Sequence, residues 1–213
     1  MNLLSGLEKF GLDVSEDMDI FEDDKPKTGT GTEAVEEKSD IPTEDMFLLE
    51  KGIRCPVCDK VFKTKMIKNG RVKRLESDKD LRPRHQYIDT LKYDICSCPH
   101  CGYTAMTRFF PHITNVQSKL IKENICSKFH AQIEPEPAVY DYDRALERYK
   151  LSLFNTIVKK GKTSEKAYTC LKIAWLYRGK AETMDAATEE GKAAIAECKK
   201  DCLLYTSDAA DDL

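Results

Sequence analysis

The sequence has no apolar run of membrane-spanning length and no export signal at its start. Its 213 residues are 33% charged with a mean hydropathy of −0.53, and residues 1–12 lack a basic beginning and a long apolar core. These absences argue against a membrane-embedded or exported chain, so we expect a cytoplasmic protein. Cytoplasmic thiols stay reduced, and the nine cysteines therefore favour metal binding over a disulfide scaffold.

The motifs of common catalytic sites are also absent. The sequence holds no glycine-rich phosphate loop, no His-Glu-x-x-His motif and no supported Ser-His-Asp or Cys-His nucleophile. Paired acids are concentrated near the N-terminus, where a flexible backbone cannot hold catalytic geometry. We therefore expect no enzymatic activity, and a thiol-redox or zinc-dependent enzyme is the less favoured alternative.

Two Cys-x-x-Cys pairs are the main motif that is present. Cys55 and Cys58 form the first pair, Cys98 and Cys101 form the second, and a proline follows the first cysteine of each. Such tight turns, or zinc knuckles, direct two thiolates at one point, and Zn²⁺ takes four such ligands in a closed tetrahedron. Gly102 follows the second pair, where a residue that tolerates positive φ lets the backbone turn towards sulfur. The spacing predicts a structural Zn²⁺ site.

The remaining cysteines leave alternatives open. Cys96, two residues before the second pair, is either an alternative ligand, a redox switch or a partly buried strand thiol. A thioredoxin-like dithiol would need a helix N-terminus after the first cysteine, which a proline-bearing knuckle does not offer. His100 is expected to be solvated. The other cysteines are interpreted as ordinary surface or helix-face residues: Cys126, Cys170 and Cys198.

Between the pairs the pattern predicts β structure. Residues 61–68 and 71–75 flank Asn69-Gly70, a strong signal for a hairpin turn. Residues 92–96 form a predicted third strand, and residues 46–50 an entry strand. Residues 46–112 are thus predicted to be a small zinc-ribbon-like β module in which the metal supplies much of the folding free energy. The role of the polar loop at 76–86 is left open.

The predicted hairpin at 60–74 is basic, which suggests nucleic-acid binding as an alternative function. One face would present cations to phosphates, although Phe62 is the only aromatic residue available for base stacking. A solvated charged face is the simpler interpretation. The candidate contacts are Lys63, Lys65, Lys68, Arg71, Lys73 and Arg74.

Residues 1–45 are predicted to be an acidic, disordered N-terminal arm. Leu3, Leu4, Leu7 and Phe10 have the spacing of a short amphipathic docking helix or a frayed terminus. Residues 13–46 are acidic and contain proline and a Thr-Gly run. Such a composition buries too little apolar area to offset the conformational entropy lost on ordering.

Residues 113–201 are predicted to be helical, which makes the fold class α+β. Thr114 and Gln117 form a capping box for a helix to about residue 129, with Val116, Leu120, Ile121, Ile125 and Phe129 on its apolar face. Further helices are predicted at 142–159, ended by Gly161, at 164–178, capped by Ser164, and at 184–199.

The second and third predicted helices make an αα-hairpin. The spacing of Ala167, Leu171 and Ala174 is that of a tetratricopeptide unit, while an ordinary helical hairpin is the alternative. A protein or peptide partner is the expected ligand of this domain. The candidate contacts are Tyr149, Trp175, Tyr177 and Arg178.

Residues 202–213 are expected to be foreign to the native chain. They resemble the conceptual translation of a transposon-end adapter used in sequencing libraries. On that interpretation the native chain continues past Asp201, and this tail is left out of fold reasoning.

With these motifs located, residues 46–200 resemble an uncharacterised bacterial family, a conserved domain of unknown function. Its members have a two-knuckle zinc module followed by a tetratricopeptide-like helical half. The resemblance implies metal binding and a helical scaffold, and it implies no activity. The matching residues are Cys55, Cys58, Cys98, Pro99, Cys101, Gly102, Tyr103 and the stretch 174–178.

Overall fold

A computed structural model describes Gly11, residues 42–131 and residues 136–210, excluding the side chains of Glu190 and of 202–210. The predicted amphipathic segment and acidic linker lie almost entirely outside these residues. The architecture is α+β, with two small antiparallel sheets and four helices, which confirms the predicted fold class. Among the described residues, no helix combines the length and the apolar character needed to cross a membrane.

The first sheet is a hairpin closed by the first cysteine pair. Strand β1, Leu48–Arg54, pairs antiparallel with β2, Val61–Ile67, so that Leu48 lies opposite Ile67 and Arg54 opposite Val61. A 3-10 turn, Glu44–Phe47, leads into β1. Phe47 and Phe62 are buried. The burial of such apolar side chains determines which face of the hairpin packs against the core.

The predicted strand pairing around Gly70 is wrong. Gly70 does adopt the left-handed conformation, with φ +83, so the turn forms. Residues 71–75 nevertheless form no strand, and Arg74 makes an isolated bridge to His85. The tight cysteine turn brings β1 beside β2, and β1 is the strand that pairs with β2 over its whole length.

The second sheet repeats this plan at the second cysteine pair. Strand β3, Ile95–Ser97, pairs antiparallel with β4, Thr104–Met106. The predicted strand at 92–96 begins late, because Lys92 and Tyr93 belong to a 3-10 turn, Thr90–Tyr93, that precedes β3. The Asp89 carboxylate caps that turn by accepting a hydrogen bond from the Leu91 N–H at 3.1 Å.

The first helical segment begins as predicted and ends early. Thr114 and Gln117 form the expected capping box at the start of α1, Asn115–Ile121. The chain then changes to a π-helical turn, Lys122–Cys126. Ile121 and Ile125 are fully buried, whereas Val116 is 72% exposed, contrary to the predicted apolar face.

Three longer helices complete the fold: α2, Tyr142–Val158, α3, Thr163–Glu182, and α4, Glu189–Ala210. Helix α2 ends in a Schellman motif in which Lys160, with φ +52, takes the left-handed position predicted for Gly161. Gly161 occupies the next position and donates its N–H to the Thr156 carbonyl at 2.8 Å. Lys162 is the N-cap of α3, and Ser164, the predicted cap, is instead the second residue of the helix.

One buried core joins the cysteine pairs to the helices. Tyr103 and Phe110 beside the second pair belong to the same apolar cluster as Tyr149 of α2 and Trp175 of α3. Helix α2 packs on β3 and β4, and α3 packs on both α2 and α4. The tetratricopeptide-like character of this half and the boundary at residues 112–113 stay predictions.

Candidate metal centre

The four cysteines of the two pairs converge. Their Sγ atoms all lie within 4.8 Å of one another, with Cys55 3.7 Å from Cys101 and Cys58 3.6 Å from Cys98. A tetrahedron of sulfur atoms about 2.3 Å from a central zinc ion has edges of about 3.8 Å. The two shortest contacts match this spacing, so the cluster can hold a metal ion.

The two cysteine turns share one backbone conformation and one hydrogen-bond pattern. Asp59 N–H donates to the Cys55 carbonyl at 2.9 Å, and Gly102 N–H donates to the Cys98 carbonyl at 3.0 Å. Asp59 (φ +63) and Gly102 (φ +74) are both left-handed. Glycine is required only in the second turn, because a Cβ on Gly102 would lie 2.4 Å from the ring of Phe129.

The cluster is closed to solvent on most sides. Cys55 and Cys98 have no exposed surface, Cys101 is 5% exposed, and Cys58 is half-buried. Val57 and Phe62 lie in the same buried apolar cluster as these thiols. An ion held by all four sulfur atoms would have no open position for water, as in structural zinc sites.

Neighbouring thiols shift one another's pKa in the cluster. Interactions with Cys101 and Cys98 lower the pKa of Cys55 to about 2, whereas interactions with Cys126 and Cys55 raise the pKa of Cys101. Four adjacent thiols, three of them buried, cannot all ionise without a compensating cation. A divalent ion would supply that charge, and its binding would release protons.

Cys96 lies on β3, outside the group of four. It is 1% exposed, its Sγ lies 3.7 Å from Thr107 Oγ1, and burial raises its pKa. These surroundings are those of a buried strand thiol. His100, at the tip of the second turn, is exposed.

Two residues beside the cluster were not predicted. Cys126, assigned to an ordinary helix face, is half-buried against the apolar cluster that contains the cysteine pairs, and its interaction with Cys101 lowers its pKa. Its separation of 25 residues from Cys101 gave no signal of this. Asn155 is fully buried on α2, and its side chain bonds the backbone of Gly102 and Thr104. A signal did exist for Asn155, because it is an amide within the apolar run of α2.

The basic residues predicted to contact nucleic acid differ in their burial and in their partners. Lys63 and Lys65 both lie near Glu50, at 3.5 and 3.6 Å, and only 10% of the Lys65 side chain is exposed. Lys68 donates to the Met46 carbonyl. Lys73 is half-buried, and the exposed members beyond β2 are Arg71 and Arg74.

The residues predicted to bind a partner are buried or ion-paired within this chain. Tyr149 is fully buried, and its hydroxyl donates to the Leu91 carbonyl at 3.0 Å. Trp175 is 5% exposed and donates its ring N–H to Asp80 at 2.7 Å. Tyr177 is also buried, and Arg178 pairs with Asp78 and Asp80.

Residues 76–89, here called the docked loop, supply the acidic partners of Trp175 and Arg178. Arg82 anchors it, because its 1%-exposed guanidinium pairs with Asp89 at 3.0 Å and with Glu182 of α3 at 3.2 Å. Arg84 adds a second ion pair to Glu182, at 2.7 Å. The polar loop whose role was left open therefore fastens the β module to α3.

Comparison with known proteins identifies the family and adds no activity. No curated protein and no solved structure matches the chain. Residues 48–210 match the model of a family described as "Uncharacterized protein conserved in bacteria (DUF2225)". This match spans both cysteine pairs and all four helices. The chain therefore belongs to this bacterial family, DUF2225, and carries within it a cysteine cluster that can hold a metal ion.

Proposed function

We propose that the chain is a zinc-stabilised scaffold that binds a protein partner and performs no catalysis. The observation that carries the proposal is the closed group of four cysteines, three of them buried. Bound Zn²⁺ would cross-link the two hairpins and supply folding free energy. The side chains Cys55, Cys58, Cys98 and Cys101 would hold it.

A structural role fits the surroundings of the cluster better than a catalytic one. Catalytic zinc keeps one position open for water or substrate, whereas four thiolates fill the coordination sphere. Asn155, the α2 side chain that contacts the second cysteine turn, is occupied by hydrogen bonds to backbone groups.

We further propose that the docked loop presents the partner-binding surface. It is fastened to α3, so its exposed apolar side chains are held in fixed positions. Leu81 is 76% exposed with φ +66, a left-handed conformation that is costly for a leucine, and Tyr87 is 48% exposed with the same φ. These side chains suit an apolar surface on a protein partner.

The test of this surface is site-specific photocrosslinking in cells that express the full chain. A photoreactive residue at position 81 is expected to give one reproducible adduct, and the adduct should disappear with Cys55→Ser. Position 116, whose valine is 72% exposed on α1, is the control and should give no such adduct. Equal labelling at both positions, or none at position 81, would contradict the proposal.

Nucleic-acid binding remains a second candidate, supported by the exposure of Lys63, Arg71 and Arg74. The pairing of Lys63 with Glu50 weakens it. A gel-shift assay on the full chain decides: phosphate binding would weaken steeply with salt and would be lost when the three cations are replaced by glutamine.

A further inference from the structure

Gly11 makes a close contact with the segment that follows the π-helical turn. The residue is half-buried and left-handed, with φ +75. A Cβ at this position would lie 2.4 Å from the Lys128 carbonyl oxygen and 2.4 Å from Nδ1 of His130. Both the backbone conformation and the available space therefore require glycine, which indicates a specific docking position for this point of the chain.

The segment that receives this glycine is held in place by the core. The N–H groups of Lys128 and Phe129 both donate to the carbonyl of Ile125, at 3.0 and 2.9 Å, and Ile125 is fully buried. The Phe129 ring also lies against Gly102 of the second cysteine turn. Phe129 is half-buried and packs at the edge of the apolar cluster that contains the cysteine pairs. The docking position therefore adjoins an apolar edge of the metal module.

The residues before Gly11 have the pattern of a segment that binds such an edge. Leu3, Leu7 and Phe10 follow one another at spacings of four and three residues, and a helix would place them on one face together with Leu4. A left-handed glycine is a frequent residue at the end of a helix. A frayed terminus, the other interpretation of this sequence, gives no reason for a glycine held between a carbonyl and an imidazole ring.

We propose that residues 3–10 form a short amphipathic helix that docks in cis beside residues 126–130 and ends at Gly11. The occupant is this chain's own segment, because Gly11 itself contacts Lys128 and His130 and Phe10 is the next residue. The apolar face of the helix would pack on the exposed part of Phe129. The inference goes beyond the proposed function, and it does not depend on a bound metal ion.

The test is intramolecular photocrosslinking in the dilute, purified full chain. A photoreactive residue replaces either Leu7, on the proposed docking face, or Lys9, which a helix places on roughly the opposite face. Position 7 is expected to give an adduct that mass spectrometry maps to residues 126–130, several-fold more abundant than the adduct from position 9. Lys9 is nearer to Gly11 in sequence, so proximity along the chain alone would give the reverse order.

A pair of glycine variants tests the contact itself. Gly11→Ala should reduce the adduct from position 7 several-fold, because its Cβ would meet the Lys128 carbonyl. Gly70→Ala is the matched control, since Gly70 is also left-handed but a Cβ there would meet nothing within 4 Å, and the adduct should be unchanged. Equal loss in the two variants would contradict the docking position.

Three crosslinking results would overturn the proposal: equal labelling from positions 7 and 9, no adduct within residues 126–130, or an adduct that joins two chains. The last result would assign the surface to a second copy. Hydrogen exchange decides if a photoreactive chain does not fold. Leu7→Asp should accelerate exchange at residues 122–130 several-fold, Lys9→Asp should not, and equal exchange in the two variants would rule out docking.

Discussion

The side-chain oxygen of Asn155 accepts a hydrogen bond from the backbone N–H of Thr104 at 3.2 Å, and this bond ties α2 to the strand that leaves the second cysteine pair. The amide nitrogen of the same side chain donates to the Gly102 carbonyl at 3.3 Å. Both partners are fully or nearly fully buried. Asn155 therefore adds a direct polar link between the second cysteine turn and the helical half.

Replacing Asn155 with leucine should destabilise the chain by about 2 kcal/mol, because it leaves the buried Thr104 N–H without a partner and removes one of the two hydrogen bonds to the Gly102 carbonyl. The free energy of unfolding in urea measures this, and zinc should also dissociate faster. Asn124→Leu is the control, because the exposed Asn124 amide donates only to the Leu120 carbonyl of its own helical turn. Equal losses from the two variants would contradict the coupling.

Gly102→Ala should cost about 3 kcal/mol, from a left-handed alanine and from overpacking against Phe129. Gly70→Ala isolates the first cause, because Gly70 also has positive φ but a Cβ there would meet nothing within 4 Å. That variant should lose only about 1 kcal/mol. Urea unfolding of the two zinc-loaded variants makes the comparison, and a Gly102 loss no larger than the Gly70 loss would rule out the Phe129 contact.

Arg82→Met should loosen the docked loop on α3. The change removes the buried cation that pairs with Asp89, and we expect a loss of about 3 kcal/mol. Hydrogen exchange at residues 76–89 should accelerate while the strands stay protected. The matched control, Arg54→Met, removes a solvent-exposed pair with Asp59 and should cost under about 1 kcal/mol. Unchanged exchange at 76–89 in Arg82→Met would contradict the anchoring role.

Docking of the loop should weaken in acid. Hydrogen bonds from Arg84 hold the pKa of Glu182 below its ordinary value of 4.5. The folded chain therefore binds this proton less readily than the unfolded chain, so the stabilisation is complete above 4.5 and is lost as the pH falls through the lowered pKa.

The measurement is the difference in urea midpoint between wild type and Glu182→Gln, followed from about pH 6 to about pH 3. The difference should favour wild type at the upper end and shrink towards the lower end. Acid release of zinc affects both chains and cancels in the comparison. A difference that does not change with pH would show that the ionised Glu182 carboxylate does not stabilise the docked loop.

Local spacing predicted the parts of the molecule that depend on neighbours in sequence. The four cysteines in two short turns, the Thr114 capping box and the extent of α2 all follow from such spacing. The pairing of β2 was not predictable in this way, because β1 and residues 71–75 could both reach its edge. The choice depends on which segment the rest of the fold holds elsewhere.

Contacts between distant residues account for the rest. Arg82 meets Glu182 across 100 residues, and each looks like an ordinary surface charge in the sequence. That ion pair docks the loop that carries Asp80, the hydrogen-bond partner of Trp175, which the sequence suggested as a partner contact. Cys126 packs against the core that contains the cysteine pairs at the end of a π-helical turn, and the sequence gave no signal of that change in helix type.

Elemental analysis of the purified full chain and its cysteine variants tests the metal centre most directly. We expect one zinc ion per wild-type chain, lost on changing Cys55, Cys58, Cys98 or Cys101 to serine, because the remaining thiolates cannot close the tetrahedron. Cys96→Ser and Cys126→Ser should keep the full complement. A chain that carries no metal, that carries iron in place of zinc, or that keeps its zinc without one of the four ligands would contradict the proposed site.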